Sequence, residues 1–167
     1  MFLDTKKVLQ TTDFQRNYNW EFILPGSVSS VDNILVSSYI QDIKFGQYDF
    51  TELTTLRQGP FETHYAGPMK IEPITLSILS PSTLEVVQYF SDWRNRIVDD
   101  SGFYYPKMNY AFSSYCYLYD SAGNQMIGYK LVNTYPKTFP SYKLTYAGEG
   151  EIVKHDIEMS VDFIEQV

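Results

Sequence analysis

The sequence predicts a mainly β domain of the α+β class: an antiparallel β-sandwich or barrel with one flanking α-helix at about residues 81–98 and a long loop at about 45–67. Two observations predict this class. Residues 153–163 alternate apolar and polar side chains, which is the period of a strand with one buried and one wet face. Only one stretch of the chain, within residues 81–98, repeats its apolar residues at helical spacing over several turns.

Length and composition indicate one globular unit. A chain of 167 residues with 44% apolar side chains is large enough to bury a core. We therefore assign residues 1–167 to one domain, with 1–15 as an N-terminal arm. Apolar runs are only a few residues long, far short of the roughly 20 that span a bilayer, so no membrane contact is expected. Cys116 is alone, which excludes a disulfide framework and a cysteine-based metal site.

The charge balance is acidic. There are 20 acidic and 13 basic residues, which gives a net charge of −7. Proteins that grip nucleic acid normally carry a basic patch that neutralises phosphates, and here Lys and Arg are thinly spread. This balance argues against DNA binding, yet it permits contact with DNA that must not adhere.

The first half of the chain contains two predicted strands and a long connection. Residues 18–24 alternate as a strand and end at Pro25-Gly26, and residues 34–43 are predicted as a second strand. Residues 45–67 are predicted as a loop because they contain Gly46, Gly59-Pro60 and Gly67-Pro68. A loop of that length is usually functional, disordered or packed on a neighbouring subunit.

The helix has a start signal and an apolar stripe. Residues 82–85 have the Ser-x-x-Glu pattern of a capping box. The stripe at i, i+4, i+7 and i+11 consists of Val86, Phe90, Trp93 and Ile97. Strands are predicted around it, at residues 69–79, 111–119, 125–135, 142–146 and 153–163. Residues 120–124 have the composition of a turn, which makes the strands on either side a predicted hairpin.

Catalytic chemistry has little support. His155 lies on the apolar face of the last strand, where a hydrogen-bonded core or interface role is the ordinary one, and Cys116 is expected to be a buried, inert thiol. Asp156 and Glu158 would lie about 6.5–7 Å apart along one strand face, a spacing that a glycosidase can use. No other feature indicates a sugar site, and there is no phosphate loop or HExxH motif. We expect a protein that is not an enzyme and has no cofactor.

The order of motifs resembles a known family. The motifs are an aromatic strand at residues 14–22, Phe-x-x-Trp-Arg at 90–94, Tyr-Pro-Lys at 105–107, Leu-Val-Asn-Thr-Tyr-Pro at 131–136, and the closing strand at 151–163. This order resembles the tail tube proteins of contractile-tailed bacteriophages, typified by T4-like phages. Their fold is shared with the haemolysin-coregulated tube protein of type VI secretion. The resemblance covers most of the chain, roughly residues 14–163.

The resemblance implies a structural subunit of a virion. Family members form hexameric rings that stack into a hollow tube, through which double-stranded DNA passes without specific binding. The expected partners are other copies of the chain, a tail sheath protein and baseplate tube proteins, in a phage tail assembled in the host cytoplasm. Alternatives are a baseplate-proximal initiator, a terminating end ring, a secreted carrier ring of the type VI kind, or a monomeric ligand-binding barrel.

The resemblance also implies two sets of site residues. An acidic lumen would repel phosphates and let a duplex slide. Its candidate residues on the closing strand are Asp156, Glu158 and Asp162. The candidates for contacts between subunits, all in the long connection, are Phe45, Tyr48, Phe50, Arg57, Phe61, His64 and Tyr65.

Overall fold

A computed structural model describes residues 19–55, 62–146 and 150–167. Within them, the strands are β1 Trp20–Ile23, β2 Ile40–Lys44, β3 Tyr48–Thr55, β4 Thr63–Ile71, β5 Ile74–Leu79, β6 Phe112–Tyr119, β7 Gln125–Pro136, β8 Lys154–Ser160 and β9 Phe163–Gln166. The helices are α1 Asn33–Ser38 and α2 Glu85–Ile97, followed by a short 3₁₀ turn at Lys107–Asn109. The predicted mainly β class with antiparallel sheets is confirmed. The N-terminal arm, residues 1–15, lies outside the described residues.

Seven strands form one antiparallel sheet in the order β1-β6-β7-β8-β5-β2, with β9 also paired to β7. The long strand β7 joins the two halves, because residues 129–132 pair with β9 and residues 135–136 pair with β8. Strands β1 and β2 lie at the two ends of this order, so the described strands close no hydrogen-bonded barrel. Both halves of the sheet bury residues in one core, which includes Leu131 and Ile157.

Helix α2 covers this core with the predicted stripe. Val86, Phe90 and Trp93 are buried. Tyr89, which the stripe omits, is buried as well, and its hydroxyl donates to the Pro25 carbonyl at 2.6 Å. The hydrogen bond explains how a tyrosine is accommodated there, because a buried hydroxyl without a partner is costly.

The predicted capping box is wrong. The N-cap residue of α2 is Leu84, which has a left-handed backbone with φ of 61° and makes no side-chain cap. The Leu84 N–H instead donates to the Pro81 carbonyl at 3.1 Å. A tight turn therefore precedes the helix, and Ser82 lies two positions before the N-cap.

The strand predicted at residues 34–43 is half wrong. Residues Asn33–Ser38 form α1, because the Asp32 side chain caps the helix by accepting from the Ile34 N–H at 3.0 Å. Only the second part of the segment forms a strand, β2. The apolar run at residues 34–36 resembles a strand in sequence, and within this run only Val36 is buried.

The strand predicted at 142–146 is also wrong, since these residues have no regular structure and are exposed. The hairpin of β6 and β7 is confirmed, and the Asp120 side chain closes its turn by accepting from the backbone N–H groups of Ala122 and Asn124. The alternation of the closing strand is confirmed through β8, whose His155, Ile157 and Met159 are buried.

Candidate subunit-contact surfaces

The segment predicted as a long loop is mainly a β-hairpin. Strands β3 and β4 pair with each other and with no other described strand, forming a separate two-stranded sheet. The loop prediction is therefore wrong. The register shift between Phe50 and Glu52 puts the extra residue of a bulge into β4 at Gly67-Pro68, a dipeptide that indicates a loop in the sequence.

Both faces of this hairpin expose apolar side chains. The register places the pairs Tyr48–Ile71 and Phe50–Met69 on one face and the pair Leu53–Tyr65 on the other. Five of these side chains are 39–60% exposed, and we call them the hairpin apolar residues: Tyr48, Phe50, Leu53, Tyr65 and Met69. Isolated two-stranded hairpins are marginally stable in water, and continuous exposed apolar surface marks interaction sites.

Polar side chains share both faces of the hairpin with these apolar residues. Asp49 pairs with Lys70 on the face of Leu53 and Tyr65. The His64 imidazole contacts the Glu52 carboxylate on the face of Phe50 and Met69. His64, predicted as a contact residue, is therefore an exposed polar residue on a face that also carries exposed apolar side chains.

The remaining predicted contact residues separate. Phe45 precedes the hairpin and packs on the body of the protein, where its ring meets the Tyr129 ring edge-on at a centroid distance of 5.6 Å. Tyr48, Phe50 and Tyr65 are among the hairpin apolar residues, with Tyr65 on the other face of the hairpin from Tyr48 and Phe50. Arg57 and Phe61 lie outside the described residues. The predicted contact residues did not include Leu53 and Met69. Each is an apolar residue in a segment whose sequence shows little of the periodicity of a buried core.

The predicted acidic residues lie in two different settings. Asp156 and Glu158 are exposed on the outer face of β8. Asp156 accepts a hydrogen bond from the Ser77 hydroxyl at 2.9 Å, and a Glu158 carboxylate oxygen lies 3.8 Å from the Lys137 ammonium. These two carboxylates therefore share a wet face, as the alternation predicts.

Asp162 follows β8, in the bend before β9, and its charge is already compensated. The Lys107 ammonium donates to its carboxylate at 2.6 Å and the Asn133 amide donates at 2.8 Å. The hydrogen bond from Lys107 lowers the pKa of Asp162, with a further lowering from Asn133. Asp162 thus fixes the loop that carries Lys107 and contributes less free negative charge than Asp156.

The two residues singled out for chemistry are buried. His155 is 1% exposed, and its Nδ1 lies 3.0 Å from the Ser141 carbonyl oxygen, which confirms the expected core role. Burial raises the pKa of the Cys116 thiol to about 12, which confirms the inert thiol. Among the described residues, no group of His, Cys, Asp and Glu side chains is arranged to hold a metal ion, and no helix is long and apolar enough to cross a membrane.

Comparison with known proteins identifies the fold. The sequence matches no family model and no curated protein. The structure is similar to the anti-feeding prophage cap, described as the AFP tube terminating cap, with a TM-score of 0.69 and 15% identity over 99% of both chains. It is also similar to a chain of the PVC sheath-tube complex in the extended state, with a TM-score of 0.64 and 14% identity over 99% of both chains. A chain of the AFP baseplate matches with a TM-score of 0.56 and 13% identity, over 89% of this chain and 90% of that one.

These similarities define the class of fold. The chain has the fold of tube and tube-terminating components of contractile injection systems, and the similarity extends over nearly its whole length. The resemblance in the sequence to tail tube proteins is thereby confirmed at the level of the fold.

Proposed function

We propose that this protein is a structural subunit of the tail tube of a contractile tail, forming hexameric rings that stack into a hollow conduit for DNA. The observation that carries the proposal is the hairpin, which exposes five large apolar side chains on a chain whose fold is that of tube components. A monomer gains nothing by holding five large apolar side chains in water, whereas a subunit buries them in each contact. The role is structural and needs no catalytic group.

A terminating end ring is the second candidate. The TM-score to the AFP tube terminating cap, 0.69, exceeds the 0.64 to the PVC sheath-tube chain. An end ring would form discrete rings, whereas a repeated subunit would extend into filaments with rising concentration. A type VI-like carrier ring would likewise form discrete rings, and a ligand-binding barrel would stay monomeric at every concentration. The proposed setting is a phage tail, with the sheath and baseplate tube proteins as neighbours.

The hairpin apolar residues supply the test of assembly. The variant Phe50→Ser with Leu53→Ser removes two side chains that are 60% and 52% exposed. The matched control is Met126→Ser with Ile34→Ser, at 60% and 52% exposure elsewhere on the surface. Because exposed substitutions usually change the free energy of unfolding by less than about 0.5 kcal/mol each, both variants should remain folded.

Light scattering after size-exclusion chromatography and negative-stain microscopy provide the measurement. The wild type and the control should form rings or stacked tubes, and the hairpin variant should remain a folded monomer. A hairpin variant that assembles as well as the wild type would contradict the proposal. So would a wild type that is monomeric at every concentration, with or without preformed tube ends.

The acidic face of β8 is proposed to line the conduit. Fixed carboxylates at Asp156 and Glu158 would keep a duplex from adhering, since like charges repel across a narrow, water-filled space. Replacing both by Lys should leave folding intact, because both side chains are exposed. Assembled variant tubes should then retain duplex DNA at low salt and release it at high salt. Equal DNA retention by wild-type and variant tubes would place these residues away from the lumen.

A further inference from the structure

The exposed carboxylates of β8 belong to a wider polar face that β2, β5 and β8 form together. The register aligns Ile43, Leu76 and Ile157 in one row across these strands, and this row packs in the core. The residues on either side of it therefore point away from the core. They form two outward rows, Asp42–Ser77–Asp156 and Lys44–Thr75–Glu158.

Lysines complete this face, which we call the polar wall. Lys154, at the start of β8, lies on the same side of the strand as Asp156 and Glu158. The Lys137 ammonium lies 3.8 Å from the Glu158 carboxylate. The charged side chains of the polar wall are all exposed, and they pair three carboxylates with three ammonium groups: Asp42, Asp156, Glu158, Lys44, Lys137 and Lys154. The polar wall is thus neutral in a chain whose net charge is −7, so the excess negative charge lies elsewhere.

The positive and negative groups of the polar wall are interspersed at short range. Neighbouring strands lie about 4.8 Å apart, and alternate residues of one strand lie about 6.8 Å apart. The backbones of Lys44 and Glu158 are therefore roughly 10 Å apart across β5, and those of Lys154 and Asp156 roughly 7 Å apart along β8. These spacings are close to the Debye length of about 8 Å at physiological salt. Opposite charges so spaced largely cancel each other's field at the distance of a hydrated macromolecule.

The middle strand makes the polar wall shallow and hydrophilic. Thr75 and Ser77 are short hydroxyl residues that lie between the charged side chains of β2 and β8. The Ser77 hydroxyl donates to the Asp156 carboxylate at 2.9 Å. The two outward rows therefore offer a passing molecule charges, hydroxyl groups and their bound water, and no apolar side chain on which it could adhere.

The outer face of the other half of the sheet is different. Tyr115 and Tyr117 point outward there, because Cys116 between them is buried, and their rings lie parallel at a centroid distance of 6.3 Å. Phe163 of β9 is 44% exposed on the same half. Aromatic side chains supply contact area to protein neighbours. The polar wall is therefore the sheet face that suits a water-filled space.

We propose that the polar wall faces the conduit and that its lysines cancel the field of its carboxylates, so that duplex DNA is neither repelled nor held. This inference rests on the proposed function and extends the lining from two residues of β8 to a balanced surface on three strands. A wall of carboxylates alone would oppose the entry of a polyanion into a narrow conduit, and a wall of lysines alone would bind its phosphates. A neutral wall of mixed charge does neither.

Uptake of DNA by assembled tubes tests the balance. Tubes are incubated with a short fluorescent duplex, DNase removes the DNA outside them, and the protected DNA per tube is measured at low and at high salt. In wild-type tubes the protected DNA should change less than about twofold with salt. At low salt, Lys44→Gln with Lys154→Gln should lower it at least about fivefold, and Asp42→Asn with Asp156→Asn should raise it by a similar factor. Both differences should disappear at high salt, because salt screens the unbalanced charge.

A matched control separates the polar wall from the net charge. Arg94→Gln with Lys130→Gln removes two positive charges from surface outside the polar wall. Tubes of this control should take up DNA as the wild type does. The substituted side chains of the two wall variants are exposed, and their amide replacements are uncharged and polar, so the tubes should form in each case.

The outcomes separate this inference from the proposed function. Wild-type tubes that exclude DNA at low salt would overturn the balance, because the lining would then be acidic in effect. Equal uptake by the wild type and both wall variants would place the polar wall outside the conduit, while the tube function would stand. A wild type that forms no tubes, with or without preformed tube ends, would overturn both.

Discussion

Gly67 is the position at which a single methyl group should disable the hairpin. It lies in the bulge of β4, where Gly67 and Pro68 together oppose the single residue Thr51 of β3. A Cβ added there would lie 2.5 Å from the Thr51 carbonyl oxygen and 3.2 Å from Leu53 Cγ. Close carbon–oxygen contacts across strands are normally about 3.3–3.6 Å, so the methyl group of Gly67→Ala would be roughly 0.8 Å too close.

The clash is costly because its partner is backbone. A side chain can rotate away, but the Thr51 carbonyl moves only if the bulge changes its pairing. Overpacking of this kind costs about 1–3 kcal/mol. The hairpin is a separate two-stranded sheet, so the cost should fall on local opening of β3 and β4 and leave global unfolding unchanged.

Native-state hydrogen exchange measures that local cost. At about 1.36 kcal/mol per tenfold change, amides of β3 and β4 in Gly67→Ala should exchange roughly 5- to 150-fold faster than in the wild type. The urea midpoint should stay the same, and assembly should be weakened. Ala66→Ser is the matched control, since it adds one atom at the neighbouring exposed position. Unchanged exchange would refute the bulge geometry, and a large drop in the urea midpoint would refute the independence of the hairpin.

Three further predictions concern the body of the protein. Trp93→Ala should lower the free energy of unfolding, measured by urea denaturation, by about 3–5 kcal/mol. Trp93 is fully buried, and its indole N–H donates to the Tyr110 carbonyl at 2.7 Å. A loss below about 1 kcal/mol would contradict this packing. Asp162→Asn should lower the free energy of unfolding by at most about 1 kcal/mol at pH 7. Because the hydrogen bond from Lys107 lowers the pKa of Asp162, the stability difference between wild type and variant should reach its full size above the unfolded-state pKa of about 3.9 and vanish as the pH falls through the lowered pKa. A stability difference that grows as the pH falls would contradict this prediction. Cys116, whose pKa burial raises to about 12, should react with a thiol reagent at pH 8 only when the chain unfolds, and rapid reaction of the native protein would show that the site is open.

The sequence predicts the body of the fold where burial follows a single period. On β8, every second residue from His155 to Met159 is buried, and on α2 the stripe of Val86, Phe90 and Trp93 faces the core. In these elements the local pattern and the tertiary contacts agree, so the pattern is sufficient.

Prediction fails where local chemistry competes with the pattern. Asp32 caps a short helix whose apolar residues at 34–36 are otherwise typical of a strand. Leu84 adopts a left-handed backbone that no propensity argument assigns to leucine. Residues 142–146 alternate like a strand but have no regular secondary structure. At Asp32 and Leu84, one hydrogen bond or turn outweighs a weak preference spread over several residues.

The hairpin fails for a different reason, which bears on function. Alternation indicates a strand only because one face is expected to be buried, and the apolar residues of β3 and β4 are exposed in the single chain. Gly67 and Pro68 are ordinarily signs of a loop, but Gly67 leaves space for the Thr51 carbonyl and Pro68 lies on a strand at the margin of a two-stranded sheet. These residues are consistent with a segment whose core is completed by a neighbouring subunit.

A hairpin that packs on a neighbouring subunit should gain protection from hydrogen exchange on assembly, while β8 and α2, which are already packed, should change little. Equal protection of the hairpin in the monomer and in the assembly would mean that its exposed apolar residues have no partner in the assembly.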